Sequence, residues 1–176
     1  MRLSEDFFNR DTVKVARDLL GKFLVRRIGN KTISAMITET EAYCGPEDLA
    51  SHASKGLTHR TKVMFGPAGY TYVYLIYGIY HCLNFVTEPA GYPAAVLIRS
   101  INLSRGGGPG KLCQTMKIDR TLNGLMAGNK KLWVEDRKVQ VSPVDIKIGK
   151  RIGVDYAGEW ANKLWRFTLK DAKIKS

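Results

Sequence analysis

The sequence predicts an α+β protein: one domain over residues 1–176, with a curved, largely antiparallel sheet, flanking helices and a protruding β-hairpin. Three observations predict it. Period-two runs of strand-forming residues lie next to short turn signals, which joins neighbouring strands as hairpins. Helix signals are mixed among these strands along the chain. No repeat, low-complexity tract or linker divides the 176 residues, a length that buries a sizeable core.

Asp11 can cap a helix running to about Leu20, with Val13, Ala16, Leu19 and Leu20 on one face and Gly21 as its stop. Lys22–Ile28 and Lys31–Thr40 read as two strands joined by Gly29-Asn30, a good tight-turn pair. In the second strand Ile33, Ala35 and Ile37 share a face, and the same period places Glu39, Glu41 and Tyr43 on that face too. Gly45-Pro46 breaks the strand. Glu47–Ser54 reads as a short helix with His52 one turn after Asp48, and Lys55–Pro67 as a polar, basic surface segment.

Tyr70 to Asn84 holds five of the 8 tyrosines. Tyr70, Tyr72 and Tyr74 alternate with Thr71, Val73 and Leu75, and Gly78 is the residue there that turns easily. The stretch is therefore expected to be a hairpin with Tyr77 and Gly78 at its tip, an odd place for a bulky tyrosine. Ala94–Ile98 is an unbroken apolar run, a buried strand with Arg99 at its end. Asn102–Gly110 reads as a loop, Pro109 as the first turn of a helix continued by Lys111–Ile118, and Gly128–Lys138 as a turn and strand. Ser142–Ile152 is basic, and Trp160–Leu169 closes the fold with Trp165 and Phe167 facing inward.

Hydrophobic content of 44% and charged content of 25% are globular values. No apolar run approaches membrane-spanning length and the first residues are too polar for a signal peptide, so a soluble, intracellular protein is expected; the expected state is a monomer. The net charge of +12 is unevenly placed: 12 Lys/Arg face 9 Asp/Glu in residues 1–101, and 16 face 7 in residues 102–176. That surplus favours a polyanion, and nucleic acid is the commonest one inside cells. Cys44, Cys82 and Cys113 form no C-x-x-C pair, and His52, His59 and His81 show no ligand spacing. Neither a disulfide framework nor a metal or other cofactor is expected.

The Gly-rich run invites a phosphate-loop reading, which fails because Arg105 and Leu112 stand where the pattern needs Gly and Ser or Thr. What remains is a helix start beside Arg105 and Lys111, suited to a backbone phosphate. Glu39 and Glu41 lie two apart on one strand face; paired carboxylates flanking the scissile bond are how many glycoside hydrolases work, and such a pair is equally a solvated strand end. Arg99 is a candidate partner that keeps one of them ionised.

At these residues the chain resembles the alkyladenine (3-methyladenine) DNA glycosylases. The resemblance rests on Thr38-Glu39-Thr40-Glu41-Ala42-Tyr43, Gly45-Pro46-Glu47-Asp48 with His52, Met64-Phe65, Tyr72 to Gly78 and Cys82-Leu83-Asn84. It continues through Gly108-Pro109, Lys111-Leu112-Cys113-Gln114 and Ala157-Gly158-Glu159-Trp160. These blocks run in family order from about residue 11 to 169. Leu164 and Tyr80-His81 depart from the family pattern, at positions peripheral to the chemistry.

The resemblance implies hydrolysis of the N-glycosidic bond of damaged purines turned out of double-stranded DNA, without a cofactor. It makes Glu41 the residue that orients and deprotonates the attacking water, with Arg99 as its partner. It makes Tyr43, Tyr74 and His52 the base pocket, Asn84 its floor, Leu97 the sugar side, and Tyr77 the wedge that fills the gap in the stack. Two other readings compete: a catalytically silent module binding structured DNA or RNA through the hairpin, and a carbohydrate hydrolase using Glu39 and Glu41. Glu41, Arg99 and Asn84 together speak against the first, and the +12 charge against the second.

Overall fold

One sheet of eight strands organises the chain, in the order β3-β4-β5-β2-β1-β6 with β7 and β8 joined through β2. The computed structural model describes residues 1–103 and 107–170, so the expected phosphate contact at Arg105 lies outside the described residues. The strands are β1 (Phe23–Ile28), β2 (Lys31–Cys44), β3 (Thr71–Ile76), β4 (Tyr80–Val86), β5 (Ala94–Ile101), β6 (Leu132–Glu135), β7 (Ile146–Gly149) and β8 (Arg166–Leu169). All their pairings are antiparallel. The helices are α1 (Glu5–Phe8), α2 (Thr12–Asp18) and α3 (Pro109–Thr115).

The expected helix forms, with the Asp11 carboxylate accepting from Lys14 N at 2.8 Å as its cap, a contact typically contributing ~1 kcal/mol. Gly21 follows at φ 81°. Leu19, Leu24, Ile37, Leu83 and Ile98 meet between α2, α3 and one face of the sheet, all fully buried. The α1 turn, too short to show a helical period, is pinned by Phe8, which stacks on Phe85 with centroids 5.2 Å apart. The expected helix at Glu47–Ser54 is instead a loop followed by a 3-10 turn over His52–Lys55, which starts at Ser51 because its hydroxyl accepts from Ala53 N. The 55–67 segment includes a second such turn, Lys62–Phe65, that buries Met64.

The strand β2 is central, and its second half departs from the predicted alternation. Between Ile37 and Thr40 its register against β5 shifts twice: Ile37 pairs with Ile101, Glu39 with Ser100 and Thr40 with Ile98. The two shifts cancel in register, but each strand changes which face its next residues use. Ala35 and Ile37 belong to the main core before the irregularity and Ala42 after it. Thr40 points the same way and donates to the Ala16 carbonyl of α2 at 2.7 Å. In β5 the core side passes from Ile101 to Ile98 and Val96. Glu39, Glu41 and Tyr43 therefore lie on the face opposite Ile33, Ala35 and Ile37, not on the same one. One step out of the pleat moves every later side chain across the sheet.

At the far end of β3 and β4 the hairpin turns where expected. Ile76 pairs with Tyr80, and Ile79 N donates to Ile76 O at 3.2 Å. Tyr77 and Gly78 have φ of 54° and 69°, the successive left-handed pair of a type I′ turn. Tyr77 is 84% exposed, so burial does not account for its presence.

A left-handed conformation costs a non-glycine residue ~1–2 kcal/mol, while glycine loses ~0.5–1 kcal/mol more chain entropy on folding. Tyr77→Gly is therefore expected to melt at the wild-type temperature or slightly above it. A fall of several degrees in a thermal melt would show that the ring stabilises the fold.

Candidate active site

The face of the sheet turned away from the main core carries a row of four side chains. Tyr72 pairs with Asn84, Asn84 with Leu97, and Leu97 with Glu41, one residue from each of β3, β4, β5 and β2. Over this row lies a cavity of about 150 Å³. Tyr43, His52, Tyr74, Asn84, Leu97 and Arg99, all singled out in the sequence, line it. A cavity of this size takes one small flat ring system. Tyr77 stands apart from these residues, at the hairpin tip.

Glu41 lies behind the wall of the cavity and is fully buried. Its Oε2 accepts from the Tyr43 hydroxyl at 2.8 Å, and its Oε1 accepts from Ile152 N at 2.8 Å. Arg99 Nη1 stands 3.5 Å from the same Oε1. Burial pushes the Glu41 carboxyl above the usual carboxylate range; Arg99, the Ile152 amide and the Tyr43 hydroxyl oppose that push, and the Glu39 charge adds to it. Glu39 occupies a different position. It is held by Arg99 Nε at 3.3 Å and Arg166 Nη1 at 3.0 Å, and lies outside the cavity lining. Two arginines thus serve two carboxylates; neither carboxylate lines the cavity, and Glu41 is the one bonded to the lining residues Tyr43 and Ile152.

The aromatic walls are fixed from behind. Arg151 Cζ lies 4.8 Å from the Tyr43 ring, and Arg60 Cζ lies 5.0 Å from the Tyr74 ring. His52 meets Tyr74 edge-on at 4.6 Å, and its Nδ1 is 3.0 Å from the Tyr72 hydroxyl. With the Tyr72 hydroxyl donating to Nδ1, the neutral imidazole carries its hydrogen on Nε2; with the other tautomer Nδ1 donates to the hydroxyl. Burial, helped by Arg60, lowers the His52 pKa to about 4, so the ring is neutral at physiological pH. Asn84 donates its amide to Tyr72 O at 2.9 Å and is buried, which holds it in one orientation on the cavity floor.

Several contributors were not visible in the sequence. Ile152 acts through its main-chain amide, which every residue but proline has. Arg151 is one cation in a basic run, yet it is buried against Asp48 with no exposed side-chain surface on either partner. Tyr72 carried a signal, as the middle of the three alternating tyrosines. Among the described residues no three His, Cys, Asp or Glu side chains come together as a metal site would, and no helix is long and apolar enough to cross a membrane. The departures at Tyr80 and Leu164 are both partly exposed, and Tyr80 lies against Gly110, where a Cβ would come within 2.8 Å of its ring.

Comparison with known proteins agrees with this arrangement. The family model for methylpurine-DNA glycosylase (MPG) matches residues 6–173. A Legionella pneumophila protein is 50% identical over 177 residues, covering 97% of this chain and 95% of its own. A Methanocella arvoryzae protein is 48% identical over 197 residues, with 99% and 95% covered. A Clostridium perfringens protein is 42% identical over 203 residues, with 100% and 99% covered. All three bear the provisional name of a 3-methyladenine DNA glycosylase.

The raised Glu41 pKa makes a stability prediction. A carboxyl whose folded pKa lies above its unfolded value stabilises the fold fully at low pH, and that stability is lost as pH rises through the folded pKa. Glu41→Gln removes the buried charge while keeping an acceptor for Ile152 and a partner for Tyr43. The variant is expected to melt above the wild type at pH 7, with the gap closing as pH falls below the normal carboxylate range. A variant less stable than wild type at pH 7 would contradict this account of the site.

Proposed function

The chain belongs to the methylpurine-DNA glycosylase family, and we propose that it releases alkylated or deaminated purines, of the 3-methyladenine, 7-methylguanine and hypoxanthine type, from duplex DNA. It hydrolyses the N-glycosidic bond and leaves an abasic site. The observation that carries this reading is a fully buried carboxylate with three donors on it, set behind a cavity with aromatic walls on the scale of one base. A module that only bound nucleic acid would gain nothing from a buried Glu41, whose charge costs stability.

The nucleotide leaves the stack and its base enters between Tyr43 and Tyr74, with His52 hydrogen-bonding the base edge. Stacking on aromatic side chains contributes ~1–3 kcal/mol per base. Alkylation at N3 or N7 makes the purine cationic, which strengthens stacking on tyrosine and weakens the bond to the sugar. Glu41, cut off from bulk solvent, acts on one held water. The water oxygen attacks C1′ as the purine departs with the bonding electrons, and Glu41 takes the water's proton. Its negative charge also favours the positive charge that develops on the sugar. Arg99 holds the carboxylate ionised, and Leu97 packs against the sugar. The fixed Asn84 amide leaves no room for the 2-amino group of guanine, which rejects the undamaged base.

Extruding a base costs a few kcal/mol and least where pairing is already poor. Tyr77 offsets that cost by filling the vacated space. Its exposure and left-handed backbone, unexplained by packing, fit a residue kept for contact with DNA.

Two measurements test the reading. With a duplex bearing 3-methyladenine, Glu41→Gln is expected to bind as the wild type does while single-turnover excision falls ~10²–10⁴-fold, the usual contribution of a general base. Glu39→Gln should retain far more activity; the reverse order would name the wrong carboxylate. Tyr77→Ala is expected to lose most on well-paired lesions and least on bulged ones. Equal losses on both would remove Tyr77 from the extrusion step.

A further inference from the structure

The Asp48–Arg151 pair has no place in the reaction described above, yet it is the most enclosed charge pair in the protein's described residues. Arg151 Nη1 donates to Asp48 Oδ2 at 2.5 Å and Nη2 to Asp48 Oδ1 at 2.9 Å. The same two nitrogens reach the carbonyls of Ala42 and Trp160, each at 3.0 Å. Asp48 in turn accepts from Cys44 N and Ala50 N, each at 3.1 Å. The guanidinium lies between two rings, 4.8 Å from Tyr43 and 5.1 Å from Trp165. One cation therefore ties the end of β2, the loop before His52 and the 151–165 segment to one another.

Two of the segments it ties are those that hold Glu41. The residue after Arg151 is Ile152, whose amide is on Glu41 Oε1; the ring under Arg151 is Tyr43, whose hydroxyl is on Oε2. Both uncharged donors to the carboxylate thus depend on where this guanidinium sits. The site lining adds a third link, since Asp48 O accepts from Ser51 N immediately before His52. A pair serving the fold alone has no reason to converge on the reacting carboxylate from two directions. Nor is it an efficient source of stability, because taking both charges out of water offsets much of their attraction.

We propose that Asp48 and Arg151 form a positioning pair that sets the Ile152 amide and the Tyr43 hydroxyl on the two oxygens of Glu41, and so aims the base that activates water. This rests on Glu41 being that base. The pair touches neither the cavity nor the reacting atoms; it acts through Ile152 and Tyr43.

The readout that separates positioning from mere support is the acid limb of the pH–rate profile. Glu41 faces Arg99 from β5, Glu39 and Tyr43 from its own strand, Cys82 from β4 and the Ile152 amide, with Arg166 of β8 bound to Glu39. Moving Ile152 and Tyr43 away removes two influences that favour the ionised form and leaves the others in place. Arg151→Lys keeps the charge but cannot span both Asp48 oxygens and both carbonyls. The double variant Asp48→Asn/Arg151→Met removes the charges together, an exchange that buried pairs often tolerate without loss of stability.

Both variants are to be purified, checked by circular dichroism and thermal melting, and assayed for single-turnover excision of 3-methyladenine from pH 4 to 9. We expect a folded protein whose excision falls by about 10²-fold, the loss typical of a misplaced reacting group. We also expect lesion-duplex affinity within a few-fold of wild type and an acid limb moved to higher pH. A folded variant with wild-type rate and an unmoved acid limb overturns the proposal. Failure of both variants to fold overturns it too, making the pair a requirement of the fold. Excision by Glu41→Gln at the wild-type rate would instead overturn the general-base reading beneath it, so the two failures are told apart.

Discussion

Holding the Glu41 carboxyl away from solvent is the constraint on which the site depends. An isolated carboxylate in a dry interior takes up a proton instead of meeting the full cost of desolvation, and in the proposed reaction a protonated Glu41 could not accept one from water. The protein opposes this with one cation and two hydrogen bonds that come from separate parts of the chain: Arg99 from β5, Tyr43 from β2 and Ile152 from the segment after β7. The Ile152 donor arrives only once β8 has paired with β2 and β7 with β8, so the full set of partners on Glu41 is assembled by the tertiary fold. Glu39 complicates the balance, since a second negative charge raises the Glu41 pKa further. Arg166, arriving on β8, binds Glu39 and limits that effect.

The irregularity in β2 and β5 gives one sheet two occupations. Without it, the alternation begun by Ile33, Ala35 and Ile37 would carry Glu39, Glu41 and Tyr43 into the core against α2, where a carboxylate has no partner. With it, Thr40 and Ala42 take over the core side, and the same strand presents acids and an aromatic to the opposite face. An antiparallel sheet ordinarily leaves one face to water. Here the second face, with the tyrosines of β3 on it, is closed by the His52 turn and the 152–156 segment, and what would be a solvated surface becomes a cavity.

Much of this was legible. The β1–β2 hairpin, the cap at Asp11, the buried β5 with Arg99 near its end and the tyrosine hairpin with Tyr77 at its tip follow from period, turn residues and capping, because each is decided within a few neighbouring residues. The family resemblance, not the spacing, separated Glu41 from Glu39. The change of face within β2 was not legible, since Thr38 to Cys44 continue a smooth alternation and the break is a property of two strands together. Arg151 was hidden for a related reason: Lys147, Lys150 and Arg151 read as one basic surface, and only the position of Asp48 selects the one that is buried. Where a helix was expected from Glu47 the chain forms a loop, in which the Asp48 carboxylate is shared between Arg151 and the amides of Cys44 and Ala50.

The site and the hairpin tip are organised on opposite principles, and the difference bears on how lesions are selected. Around the cavity the side chains are already fixed: Asn84 by Tyr72 O, His52 by the Tyr72 hydroxyl, Tyr43 by Glu41 and Arg151. The tip holds an exposed ring on a strained backbone with nothing packed on it. On the proposed reading, a preformed cavity can judge a base only after it has left the duplex. It contributes shape and charge discrimination, but it cannot lower the cost of the first outward movement. That cost must be met outside the cavity, by weak pairing of the damaged base and by a group that fills the gap it leaves. A left-handed tyrosine at a wet tip suits the second task, because its ring gives up no packing within the protein when it enters DNA. Glu41 and Tyr77 are each a local cost in stability, and both are borne by the continuous core on the other face of the sheet.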